Sequence, residues 1–124
     1  MLKLELPMKI LSRNVLDRQH WAVKRKEKQH WCLLVRNQMR LNKVRFTKEK
    51  EKHSIEIISY RSRKLDYDNL VGGCKQLIDA MIEEGYIWDD SPKYLDLRIK
   101  QVKNSDPVRQ KLTKFHNKTW IARY

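Results

Sequence analysis

A single amphipathic helix is the feature that most restricts how this chain can fold. Its apolar residues recur at helical spacing along one face, and they are Cys74, Leu77, Ile78, Met81 and Ile82. Gly72-Gly73 precedes this stripe, and Gly85 follows it as a helix-ending residue should. A helix with one apolar stripe has to bury that stripe against another element. The pattern therefore predicts a helix that packs on a sheet.

Several other segments have the pattern of strands. From Leu2 to Ile10 every second residue is apolar, which indicates a strand with one buried face. Residues 53–60 are rich in β-branched side chains and predict a second strand, and Val44-Arg45-Phe46 is a candidate partner for it. Two further strands are expected, from Tyr94 to about Val102 and from Thr119 to Tyr124.

A longer segment, from about Val15 to Met39, has neither proline nor glycine and suits one long helix or two broken ones. Its repeated Gln-His-Trp, at 19–21 and 29–31, would offer aromatic stacking to nucleic acid. Two tryptophans that anchor the helix to the core are the favoured alternative. Together these elements predict one α+β domain over residues 1–124, with a mixed or antiparallel sheet packed by two main helices.

Charge is distributed unevenly along the chain, whose 124 residues carry a net charge of +13. The window from Asp66 to Asp96 holds eight of the fifteen acidic residues but only two of the twenty-eight lysines and arginines. Such a window serves either to bring an anion to a metal ion or to neutralise the protein internally. The basic remainder favours nucleic acid or an anionic membrane surface as partner, or is simply a solvated surface.

Other features narrow the setting. No segment approaches the roughly twenty apolar residues of a membrane span. Cys32 and Cys74 have no close spacing, and no signal peptide is evident, which predicts free thiols in a reducing compartment. The histidines and cysteines lack zinc spacing, and an EF-hand is excluded because Val71 and Leu77 stand where its glycine and glutamate belong. The expected location is the cytoplasm of a bacterial or phage-infected cell.

Two groups of aspartates suggest a metal site. Asp66 and Asp68 would leave the same side of an extended backbone, and Asp89-Asp90 begin the turn after the next helix, which can return the chain to them. Converging carboxylates repel one another unless a cation lies between them, and oxygen ligands favour Mg²⁺ or Mn²⁺. Such an ion can support the hydrolysis of a phosphodiester. Lys75 would stabilise charge on the phosphate, or merely pair with Asp79 on the helix surface.

Three motifs taken together resemble the RusA family of Holliday junction resolvases, over about thirty residues from Arg63 to Tyr94. The motifs are Asp66-Tyr67-Asp68-Asn69-Leu70, Lys75 followed by Asp79, and Trp88-Asp89-Asp90. The resemblance implies a RusA-like fold and a homodimeric endonuclease dependent on Mg²⁺ or Mn²⁺. Such an enzyme cuts two opposed strands of a four-way DNA junction symmetrically.

The resemblance also assigns roles to single residues. Asp66, Asp68 and Asp90 would be the metal-binding catalytic carboxylates, Lys75 the catalytic lysine, and Asp89 a supporting neighbour. Asn69 would sit beside them and touch DNA, and Arg61, Arg63 and Lys64 are expected to bind DNA as well. The sequence departs from the best-known member of the family at Val71-Gly72-Gly73, which lengthens the segment before the lysine.

Two other functions fit the same residues. One is a basic nucleic-acid-binding module without catalysis, in which the acidic window only balances charge. The other is a metal nuclease that acts on different branched substrates, such as flaps, replication forks or RNA structures.

Overall fold

The structure is a computed structural model that describes residues 2–47, 50–61, 63–103 and 118–123. Within these ranges it is an α+β fold, as expected. Its elements in chain order are β1 (Leu2–Leu6), α1 (Arg13–Arg18), α2 (Trp21–Leu41), β2 (His53–Arg61), α3 (Tyr67–Gly73), α4 (Lys75–Glu83), β3 (Leu95–Lys103) and β4 (Lys118–Arg123). The predicted end of the last strand, Tyr124, lies outside the described residues.

The strands form one mixed sheet in the order β1-β4-β2-β3. β2 and β3 run parallel, whereas β4 is antiparallel to both β1 and β2. The expected pairing of Val44-Arg45-Phe46 with residues 53–60 is therefore wrong. Both edges of β2 are occupied by β3 and β4, and residues 44–46 form no strand. The backbone N–H of Thr47 instead donates to the carbonyl of Gly85 at 2.8 Å, which ties this connection to the end of α4.

One face of the sheet packs against the two main helices, α2 and α4. Val35 of α2 and Leu77 and Met81 of α4 are fully buried, as are Ile57 and Ile121 of the sheet. The predicted stripe of α4 is confirmed, and so is its glycine end. Gly85 has φ +76, and the N–H of Tyr86 donates to the carbonyl of Met81 at 2.8 Å, which closes the helix in a Schellman motif.

The first half of the chain differs in detail from the sequence patterns. β1 ends at Leu6, because Pro7 has no N–H to donate to a strand partner. The segment expected to be one or two helices is two, α1 and α2. His20 separates them, and its Nδ1 accepts a hydrogen bond of 3.1 Å from the N–H of Ala22. No helix among the described ranges has the length and apolar character that crossing a membrane requires.

The two tryptophans of the repeat differ in burial. Trp31 is 2% exposed and belongs to the core, whereas Trp21 is 68% exposed at the start of α2. The anchoring role is thus confirmed for Trp31 and wrong for Trp21. The two side chains are ten positions apart, and α2 packs into the core only along its second half, where its buried residues begin at Trp31.

Substitution of the two tryptophans should therefore have unequal effects. We expect Trp31→Ala to lower the free energy of unfolding by about 3 to 5 kcal/mol, because it empties a core position. Trp21→Ala should change it by less than about 0.5 kcal/mol. Urea unfolding followed by circular dichroism measures both. Equal losses for the two variants would contradict this assignment of burial.

Candidate functional site

Asp66 and Asp68 lie at the start of α3. Asp66 occupies the N-cap position of the helix, with φ −58 and ψ 144, and Asp68 lies in its first turn. The expectation that both stand in an extended loop is wrong, because the helix begins at Tyr67. Aspartate is favoured in both positions, since helix N-termini prefer capping oxygens and negative charge. That preference was the signal in the sequence for a helix start here.

The carboxylates of Asp66 and Asp68 are exposed to solvent. Neither has a hydrogen bond or an ion pair with any residue in the described part of the chain, and Asp66 does not cap α3 with its side chain. Aspartates without partners at a helix start keep all their oxygens available. They can therefore accept a cation or a hydrogen-bond donor from outside the chain.

A glutamine on β3 fixes the position of this helix start. The side-chain Nε2 of Gln101 donates to the carbonyl of Leu65 at 2.7 Å, and its Oε1 accepts from the N–H of the same residue at 2.9 Å. This double hydrogen bond imitates the pairing of a neighbouring strand. It holds the residue before Asp66 at the carboxyl-terminal edge of β2 and β3. Nothing in the local pattern around Gln101 predicts this contact.

The second aspartate pair follows α4. Asp89 is half-buried and Asp90 is exposed, and they lie in the turn that leads into β3. The N–H of His53 donates to the carbonyl of Tyr94 at 2.9 Å, and His53 pairs in register with Leu95. This turn is therefore at the amino-terminal edge of β2 and β3.

The two aspartate pairs are thus at opposite edges of the sheet. Along β3, the six steps from Leu95 to Gln101 span roughly 20 Å at the usual rise per residue of a strand. The expected convergence of Asp66, Asp68 and Asp90 is not found within one chain. Over the described ranges, no group of three or more histidine, cysteine, aspartate or glutamate side chains could hold a metal ion. The reason is the parallel pairing of β2 and β3, because α3 and α4 carry the chain back across the sheet.

Two other acids of the window, Glu83 and Glu84, are paired with cations of α2. Arg36 of α2 binds Glu84 through two hydrogen bonds of 2.8 and 2.9 Å, and Lys28 lies 3.0 Å from Glu83. The hydrogen bond to Glu84 raises the pKa of Arg36, and the hydrogen bond to Glu83 raises the pKa of Lys28. These glutamates join α4 to α2 and neutralise charge internally. Asp66, Asp68 and Asp90 have no such role among the described residues.

Lys75 is the first residue of α4 and is exposed. It lines a cleft of about 600 Å³ between α1, α2 and the junction of α3 with α4, together with Arg13 and Lys24. It makes no ion pair with Asp79, which lines the same cleft. Lys75 follows Asp68 by seven residues, or roughly 10 Å of helix. The lysine is therefore at the same edge of the sheet as Asp66 and Asp68, and so is the half-buried Asn69.

The basic residues that precede the aspartates do not behave alike. Arg63 and Lys64 are exposed, as a DNA contact requires, but Arg61 is only 5% exposed. Its Nη1 donates to the carbonyl of Ile10 at 2.6 Å and its Nε to the carbonyl of Arg63 at 2.9 Å. Burial lowers the pKa of Arg61. Arg61 fixes the connection between β1 and α1 from a buried position, and its expected contact with DNA stays a prediction.

Comparison with known proteins yields no match to a family model, to a curated protein or to a solved structure.

Proposed function

We propose that this protein is an endonuclease of the RusA type, which resolves four-way DNA junctions by paired symmetric nicks during recombination or repair. The observation that carries the proposal is the pair Asp66 and Asp68, which is exposed, has no partner among the described residues and follows the exposed cations Arg63 and Lys64. A chain with a net charge of +13 attracts a polyanion. Carboxylates without partners beside these cations could hold a metal ion that supports its hydrolysis. The expected compartment is the cytoplasm of a bacterial or phage-infected cell.

Two copies of the chain would complete the proposed site. Asp90 lies at the opposite edge of the sheet from Asp66 and Asp68, so one copy alone leaves the site incomplete. A two-fold axis would bring Asp90 of a second copy beside Asp66 and Asp68 of the first, and it would create the same site twice. A four-way junction has to be cut at two symmetric positions. We therefore propose a homodimer in which the two copies share both sites.

The proposed cofactor is Mg²⁺ or Mn²⁺. Oxygen donors fit such an ion in kind, and Mg²⁺ is commonly held by one or two carboxylates together with phosphate and water. Asp66 and Asp68, with Asp90 of the second copy, would hold it. When bound, it supplies a Lewis acid for a phosphoryl oxygen.

The remaining residues would act on the DNA directly. Lys75 would place a positive charge near the phosphate as negative charge develops on it. Asn69 would contribute an amide to the strand beside the site. Asp89, half-buried before Asp90, would support the position of its neighbour. Arg63 and Lys64 would bind backbone phosphates and orient the strand without reading its sequence.

Cleavage of a labelled synthetic four-way junction, in Mg²⁺ and in EDTA, tests this function. We expect paired symmetric nicks that require the metal. An excess of linear duplex should compete poorly for the enzyme. Equal cutting of three-way, flap or fork substrates would instead indicate a nuclease for other branched DNA. If the folded dimer binds the junction but makes no metal-dependent cut, the protein is a non-catalytic basic binding module.

A mixture of two inactive variants tests whether the copies share their sites. We expect Asp68→Asn and Asp90→Asn each to be inactive alone, because each spoils both sites of its homodimer. Co-expressed, they form heterodimers in which one site combines an intact Asp68 with an intact Asp90. Such heterodimers should nick one strand of the junction, without the symmetric second nick.

Mass spectrometry of the intact complex verifies that heterodimers have formed. If verified heterodimers cut nothing, all three aspartates act within one chain or not at all, and the shared site is wrong. A mixture of Asp68→Asn with Asp66→Asn is the matched control, since both substitutions affect the same half of the site and no activity should return.

A further inference from the structure

A small cleft beside the candidate site contains cations and no acid. It lies between the connection from β1 to α1 and the segment that follows β2, and its volume is about 250 Å³. Its polar lining residues are Lys9, Ser12, Arg61 and Arg63, and the others are apolar. The volume is several times the roughly 30 Å³ that a water molecule occupies in the liquid.

Arg61 is the group in this cleft that most needs a partner. It is 5% exposed, and its hydrogen bonds go to the carbonyls of Ile10 and Arg63 and, at 3.5 Å, to the hydroxyl of Ser59. These acceptors are neutral, and no carboxylate among the described residues pairs with it. A guanidinium stays charged in proteins, and a buried charge without a counterion is costly.

The donors around the cleft remain available. None of the hydrogen bonds of Arg61 uses its Nη2 within the described part of the chain. The Oγ of Ser12 accepts from the N–H of Val15 at 3.2 Å, which leaves its own O–H free to donate. Lys9 and Arg63 are exposed at the rim. A set of donors with three positive charges matches a ligand that has negative charge and only acceptors.

We propose that this cleft binds a phosphate group of the nucleic-acid backbone, with Arg61 as its buried anchor and Lys9, Ser12 and Arg63 around it. Leu65 lines the same cleft and directly precedes Asp66. A phosphate held there would fix the strand next to the candidate carboxylates. Only the source of the phosphate rests on the proposed function, because anion binding follows from the cleft alone.

Thermal unfolding in inorganic phosphate, at constant ionic strength set with chloride, tests the anion site directly. We expect phosphate to raise the melting temperature of the wild type but not that of the double variant Lys9→Gln/Arg63→Gln. The matched control is Lys93→Gln/Arg98→Gln, which removes the same charge from exposed positions elsewhere, and it should respond as the wild type does. Both double variants keep Arg61, so the interior of the fold is untouched.

Junction binding in EDTA then tests the source of the phosphate. We expect the cleft variant, Lys9→Gln/Arg63→Gln, to bind the junction at least about tenfold more weakly than the wild type. The salt dependence of its binding should fall by about one to two phosphate contacts, because about one contact is lost for each cation removed. The control variant should lose less. A cleft variant that binds phosphate and junction like the control would overturn the proposal. If the protein binds phosphate but never cuts DNA, the anion site in the cleft is supported and only the nuclease function is rejected.

Discussion

Asp68→Asn is expected to reduce metal-dependent cleavage of a four-way junction by a factor on the order of 10³, while binding of the junction persists. Asparagine has nearly the same shape but removes the negative charge that would hold the ion. The side chain of Asp68 is exposed and has no partner among the described residues, so the substitution should hardly change the free energy of unfolding. Loss of a carboxylate near bound phosphate should leave affinity unchanged or raise it slightly, because a repulsion disappears.

Single-turnover cleavage and gel shift in the same buffer separate these two effects. Glu56→Gln is the matched control, since Glu56 is a carboxylate in the middle of β2, paired with Lys100 at 3.6 Å and away from both aspartate pairs. It should cut at the rate of the wild type. If Asp68→Asn cleaves the junction at the rate of the wild type, Asp68 is not part of the active site. Loss of binding together with an altered circular dichroism spectrum would show damage to the fold instead.

Gly73→Ala is expected to destabilise the fold by about 3 kcal/mol. A β-carbon at this position would lie 1.9 Å from the carbonyl oxygen of Leu11 and 3.1 Å from Cγ2 of Ile10. The oxygen belongs to the backbone, and Ile10 next to it is itself held by Arg61. The end of α3 and the connection before α1 would have to separate. Alanine in a helix normally stabilises relative to glycine, so the expected sign is opposite to the ordinary one.

Gly72→Ala provides the comparison within the same helix turn. Its β-carbon would meet the side chain of Arg13 at 2.6 to 2.9 Å. That side chain is 65% exposed, so its Cγ and Cδ can rotate away, but its Cβ is fixed by the backbone and α1 has to shift slightly. The expected loss is about 1 to 2 kcal/mol, smaller than at Gly73. Chemical denaturation of both variants measures the difference. Equal free energies of unfolding would mean that the close approach of α3 to Leu11 does not constrain the fold.

Local patterns predicted the elements well and their arrangement poorly. The stripe of α4 and its end at Gly85 depend on residues within a few positions of one another, and both are confirmed. The pairing of residues 44–46 with β2 failed because the partners of β2 come from residues 95–103 and 118–123, which no local pattern identifies. The parallel pairing of β2 with β3 also separates Asp90 from Asp66 and Asp68.

The burial of individual side chains was likewise not predictable from local patterns. Trp21 and Trp31 stand in the same short motif, yet one is exposed and the other lies in the core. Arg61 and Arg63 stand two residues apart, but only Arg61 points into the interior, where it binds the carbonyl of Ile10. Neither contrast is visible in composition or spacing. Each depends on which distant segment packs over the residue.

The sequence by itself determined the α+β class, the stripe and glycine end of the central helix, and the concentration of acids in a basic chain. These properties arise from residue types and short periods, which act through neighbouring residues. Only the tertiary structure decided that the glutamates of the window are neutralised by α2, that Arg61 is buried beside a basic cleft, and that the aspartates divide between two edges of the sheet. Those outcomes depend on contacts between residues far apart in the chain, such as Gln101 with Leu65, and the free energy of such contacts appears only when the whole sheet is formed.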